Sequence, residues 1–112
     1  MPQMNMPVLR DNYLYPMNQP PIAVDTPAWF AWLLQANRFC YRPAASTYRV
    51  TLRKEKRRHG CYWYAYLKND RKLHNAYAGR TPDMTRQRLQ QVFDQLMEKI
   101  ISQREIERNG RS

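Results

Sequence analysis

Arginines and tyrosines alternate with aliphatic residues between positions 48 and 68 of this 112-residue chain. Tyr48, Val50 and Leu52 interleave with Arg49, Thr51 and Arg53. Trp63, Ala65 and Leu67 interleave with Tyr62, Tyr64, Tyr66 and Lys68. A guanidinium fork can bind guanine O6 and N7 through two hydrogen bonds, and a phenol offers a flat apolar surface plus a hydroxyl for phosphate. The surrounding charge fits the same chemistry. Residues 38–80 hold twelve of the chain's 19 Lys/Arg but only two acids, Glu55 and Asp70, so this window carries the whole net charge of +10 while the flanks nearly cancel. Bases clustered on an ordered scaffold are the footprint of a polyanion-binding surface, because each phosphate neutralised releases condensed counterions. The candidate nucleic-acid-binding residues are Arg49, Thr51 and Arg53 from one strand and Tyr62, Tyr64, Tyr66 and Lys68 from the next. Lys54, Lys56, Arg57 and Arg58 are expected in a charged loop between them, with Arg71, Lys72, Asn75, Tyr77 and Arg80 following.

Other chemistries have little to stand on. Glu55 and Asp70 fall in expected turns, which leaves no acid–base pair for catalysis, so no enzyme activity is expected. Cys40, Cys61, His59 and His74 lack the paired spacing of zinc modules; neither metal nor cofactor is expected. Two cysteines make no disulfide framework. No stretch approaches the ~20 apolar residues that span a bilayer, so a soluble, cytoplasmic and nucleoid-associated protein with no membrane contact is the expectation.

The positioning elements follow from periodicity. Residues 1–25 hold five of the eight prolines and show no apolar period, which predicts a flexible tail, with Tyr13, Leu14 and Tyr15 available to dock on a protein partner or on the body of the domain. Thr26 as N-cap and Pro27 at the first position predict a short helix whose face is Trp29, Trp32, Leu33 and Ala36. Period two then predicts strands from Tyr48, from Cys61 to Lys68, and from Leu73 to Ala78, with a charged connection at 54–60 and a tight turn at Asn69-Asp70. Leu89, Val92, Phe93, Leu96, Met97, Ile100 and Ile101 recur at helical spacing, with Asp83 or Thr85 to cap the start and Asn109-Gly110 to end it. The expected fold is α+β: a short N-terminal helix, a three-stranded antiparallel sheet, and a long C-terminal helix packed on one sheet face. One domain covers 26–108 and 109–112 is a tail. Ile100, Ile101 and Ile106 are expected to overhang the sheet, packing on Trp29 and Trp32 or else on a second copy in a homodimer.

This order resembles two related DNA-binding architectures, the plant ethylene-response-factor domain and the N-terminal arm-binding domain of tyrosine integrases. The likeness rests on the strand–strand–strand–helix order, the tryptophan Trp63 in the middle strand, and Tyr77-Ala78-Gly79 leading through Thr81 into the helix. It implies a sheet laid in the major groove, with Tyr77 at a DNA-contacting aromatic position and Lys68 near a contacting arginine. A local likeness also exists to segments adjoining bacterial LuxR-type regulators, through Arg53-Lys54-Glu55-Lys56-Arg57-Arg58, Gly60, Tyr62-Trp63-Tyr64-Ala65-Tyr66, Arg71-Lys72-Leu73, Tyr77-Ala78-Gly79-Arg80, Met84-Thr85 and Arg88-Leu89. The expectation is a sequence-specific double-stranded DNA binder, a small regulator or mobile-element accessory factor. The alternatives are an RNA or single-strand binder, whose tyrosines would stack on unpaired bases, and a basic assembly protein that meets an acidic partner.

Overall fold

The computed structural model describes residues 6–109. The chain runs β1 (Val8–Arg10), β2 (Tyr13–Tyr15), β3 (Ile22–Ala23), α1 (Pro27–Gln35), β4 (Arg38–Arg42), β5 (Val50–Arg57), β6 (Gly60–Asn69), β7 (Lys72–Gly79), a 3₁₀ turn (Thr81–Asp83) and α2 (Arg86–Asn109). All seven strands join one sheet in the order β3-β2-β1-β4-β5-β6-β7. Every pairing is antiparallel except β1 with β4, which is parallel, Leu9 lying opposite Tyr41. The fold is α+β, but the expected three-stranded sheet behind an N-terminal helix is corrected to a seven-stranded mixed sheet with three strands ahead of the first helix. The segment expected as a tail supplies those strands from residue 8 onward; residues 1–5 and 110–112 lie outside the described residues.

Local chemistry explains the later elements. Thr26 is extended, its hydroxyl accepts from the Trp29 amide at 3.3 Å, and Pro27 opens α1, so the capping signal operates as the residue types require. The β6–β7 hairpin closes through Asp70 and Arg71, both at positive φ (51° and 67°), the backbone a two-residue hairpin turn of the favoured hand needs. Thr85 caps α2, accepting from the Arg88 amide at 3.1 Å, and Asp25 adds a bond from the Arg86 amide at 2.9 Å.

Both helices lie on one face of the sheet. There Leu9, Leu14, Phe39, Tyr41, Val50, Leu52, Trp63, Ala65, Leu67, Ala76 and Ala78 meet Trp29 and Leu33 from α1 and Leu89, Val92, Phe93, Leu96 and Ile100 from α2. Two buried indoles find partners in the link to α2: Trp29 Nε1 donates to the Met84 carbonyl at 2.8 Å and Trp63 Nε1 to Thr81 Oγ1 at 3.1 Å. Phe39 sits between them, 5.5 Å from the Trp29 ring and 5.4 Å from that of Trp63. Gly79 at φ 128° is needed where β7 turns into this link, since a Cβ would come 3.0 Å from Asp83 Cβ. The expected packing of the C-terminal isoleucines on the tryptophans is corrected. Ile100 is buried, but Ile101 (50%) and Ile106 (64%) are exposed. Five residues apart, the two point about 140° from each other around the helix, so they form no single stripe.

Candidate nucleic-acid interface

Neither described helix lies on the opposite face of the sheet, and its composition is of another kind. Strand pairing brings side chains of five strands together there: Tyr13 and Tyr15 from β2, Arg10 from β1, Arg38, Cys40 and Arg42 from β4, Thr51, Arg53, Glu55 and Arg57 from β5, and Tyr62, Tyr64, Tyr66 and Lys68 from β6. β7 adds Leu73, Asn75 and Tyr77, with Tyr77 opposite Tyr64 and Asn75 opposite Tyr66. The burial pattern makes the phase plain, since Trp63 and Ala65 are fully buried while Tyr62, Tyr64 and Tyr66 between them keep part of their surface.

Four of the bases at this face lie over aromatic rings. The guanidinium carbon stands 5.7 Å from the ring centre in Arg53–Tyr66, 5.1 Å in Arg57–Tyr64, 5.1 Å in Arg80–Tyr62 and 5.0 Å in Arg10–Tyr15. Arg80 also donates to the Tyr62 hydroxyl at 3.0 Å, and Tyr77 meets Tyr64 edge to face at 5.5 Å. A guanidinium held this way by the ring face keeps further N–H donors beyond those that Arg57 spends on Glu55 and Arg80 on Tyr62. Glu55 sits among them. It accepts from Arg57 at 2.5 Å and from the Tyr66 hydroxyl. The hydrogen bond to Glu55, with some burial, pushes the Tyr66 phenol above its ordinary range. Burial raises the Cys40 thiol as well, with Arg49 and Arg42 pulling the other way, so this cysteine is a poor nucleophile.

The expected charged loop at 54–60 does not exist as such. Residues 54–57 extend β5, and only Arg58 and His59 make the turn to Gly60. The alternation that puts Arg53, Glu55 and Arg57 on the open face therefore turns Lys54 and Lys56 to the other. Lys54 Nζ donates to the carbonyls of Leu33 (2.7 Å) and Leu34 (3.1 Å), closing the C-terminal end of α1, and stands 5.4 Å from the Trp63 ring. Lys72 likewise pairs with Glu107 of α2 at 2.5 Å. Arg49 is exposed just before β5, Arg58 and Arg71 sit in the two hairpin turns, and Arg80 follows β7. Beyond the sixteen candidates, the face includes Arg10, Tyr13, Tyr15, Arg38, Arg42 and Glu55. Period two in Arg38-Phe39-Cys40-Tyr41-Arg42 was a readable signal for β4; β1 and β2, at three residues each, are too short to show one.

β5 and β6 also outrun their neighbours. Pairing with β4 ends at Arg38–Arg53 and pairing with β7 at Trp63–Gly79, so Lys54–Arg57 and Gly60–Tyr62 continue as a two-stranded ribbon tipped by Arg58 and His59. Among the described residues no group of three or more His, Cys, Asp or Glu could hold a metal ion, and no helix is long and apolar enough to cross a membrane. The chain matches no family model, no curated protein and no solved structure.

Proposed function

We propose that the helix-free face of β5, β6 and β7 binds double-stranded DNA in a sequence-dependent way, as a small regulator or accessory factor acting on DNA. The observation that carries this reading is the layer of arginines set over tyrosines, with one carboxylate among them, on a face that none of the described elements covers. Size supports the ribbon as the entering part. The full sheet spans six strand spacings, about 29 Å, whereas a two-stranded ribbon is narrow enough for the ~12 Å major groove. Arg57 on the ribbon and Arg53 at its base then face base edges, and Arg58 at the ribbon's turn lies where phosphate contact is easiest. The motifs that resemble ethylene-response-factor and integrase arm-binding domains fall on β5–β7 and the start of α2, which agrees with this orientation.

A second reading has its own observation. Tyr13 and Tyr15 add two exposed rings on β2 to the same face, and aromatic surface of this kind suits stacked, unpaired bases. Competition between a duplex and each of its single strands separates the two. Duplex preference is expected, with about 4–6 phosphate contacts giving a log–log salt slope of about −4 to −5. Preference for the single strands would reverse the assignment, and a slope near −1 would remove the basic face from the binding surface.

A further inference from the structure

Glu55 is the one acid that any described strand carries, and on the basic face it stands between Arg53 and Arg57 of β5. A carboxylate there repels phosphate and lowers general affinity for nucleic acid, so a surface built only for electrostatic attraction would do better without it. It is also firmly oriented. Arg57 holds Oε1 and the Tyr66 hydroxyl holds Oε2, which occupies one acceptor position on each oxygen and leaves the others open. The side chain is 20% exposed. Along β5 it lies between Arg53 and Arg57, each about 6.7 Å away along the strand, close to two base-pair steps of ~3.4 Å.

Acceptor chemistry restricts what such a group can recognise. In the major groove cytosine presents only the N4 amine, a donor. Adenine presents its N6 amine beside the N7 acceptor, guanine presents two acceptors, and thymine an acceptor and a methyl. An anion without donors is attracted to the first and meets a lone pair at the second and third. We infer that Glu55 is a specificity-determining residue that accepts a hydrogen bond from the exocyclic amine of cytosine, between two arginines suited to guanine. This rests on the duplex reading above.

The test is selection of bound sequences from a random duplex library with the full chain and with Glu55→Gln. Glutamine still accepts from Tyr66 but adds an amide donor, the group that pairs with adenine N6 and N7. One position of the selected site is expected to change from cytosine to adenine by about tenfold, with the other positions unchanged. Tyr66→Phe, which loosens the carboxylate without replacing it, is expected to weaken the cytosine preference at that position with no switch to adenine. Unaltered preference at every position, or an even blurring of all positions by Glu55→Gln, overturns the role of Glu55 while leaving duplex binding intact. If the unmodified chain retains no duplex at all, the duplex reading falls and takes this one with it.

Discussion

The two faces of the central sheet are built from adjacent residues and have nothing else in common. On the helix side Trp63, Ala65 and Leu67 are sealed under α1 and α2, and the tryptophan's only polar atom is bonded to Thr81. On the other side Tyr62, Tyr64 and Tyr66 each lie under a guanidinium and keep part of their surface. The difference shows how a small protein can present a large aromatic surface without making it a second core. Each of these three rings has a cation over its face, so this part of the layer stays polar at its outer surface. β7 contributes too, because its outer edge is guarded: Arg88 donates to the carbonyls of Tyr77 (3.0 Å) and Ala78 (2.8 Å), and Lys99 donates to that of Asn75.

The strongest way to break the comparison is to truncate neighbours on opposite faces. Trp63→Ala is expected to cost about 3–5 kcal/mol, enough to unfold much of a domain this small. Tyr64→Ala is expected to fold and to bind duplex weakly. Circular dichroism melts alongside binding isotherms check both. Stability loss in the tyrosine variant matching that of the tryptophan variant would mean the open face belongs to the core.

A smaller effect comes from Arg53 and Lys54, which are also neighbours. Lys54→Met removes a charged donor from two carbonyls at the end of α1 and is expected to cost about 1–2 kcal/mol with little change in duplex affinity. Arg53→Ala should leave the melt nearly unchanged and cost about 1–3 kcal/mol of binding if the guanidinium reads a base. The opposite pattern would exchange the roles of the two side chains.

Alkaline titration sharpens the contrast within one residue type. Tyr41 on the helix side is raised above 10.0 chiefly by burial, and Tyr66 on the open face is raised above 10.0 chiefly by its bond to Glu55. Each phenol is held protonated in the folded state, so its contribution to stability is complete below its ordinary value and is lost as pH climbs through the folded one. Melting temperature is therefore expected to fall above pH 10, and less steeply in Tyr41→Phe and in Tyr66→Phe. A Tyr66→Phe profile identical to that of the unmodified chain would show that the Glu55 bond does not persist in solution.

Much of the candidate site was legible in the residue order because its determinants are local. Period two along 48–53 and 61–68 assigns each residue a side of the sheet without knowledge of any neighbour, and helical spacing from Leu89 to Ile100 does the same for α2. The side assigned to Arg53, Tyr62, Tyr64 and Tyr66 by that rule is the side they occupy. Residues 54–57, expected in a loop, lie on β5 for a specific reason. A run of charges looks like a loop, yet long cationic side chains can sit on a strand when carbonyls or carboxylates at the rim receive their ends, as Leu33 and Glu107 do here.

By itself, then, the residue order determined the caps, the hairpin strands, the long helix and which residues share a face, since each of these follows from side chains within a few positions of one another. Only the tertiary structure decided that residues 8–23 join the sheet, that β1 runs parallel to β4, and that Glu55 lies inside the arginine–tyrosine layer. Strands of two or three residues have no stability and no readable period alone. They become strands because β4, held by β5 and by Phe39 against the tryptophans, offers a free edge. Val8 to Arg10 pair with that edge some thirty residues away in sequence, and Leu9 and Leu14 complete the core beneath it.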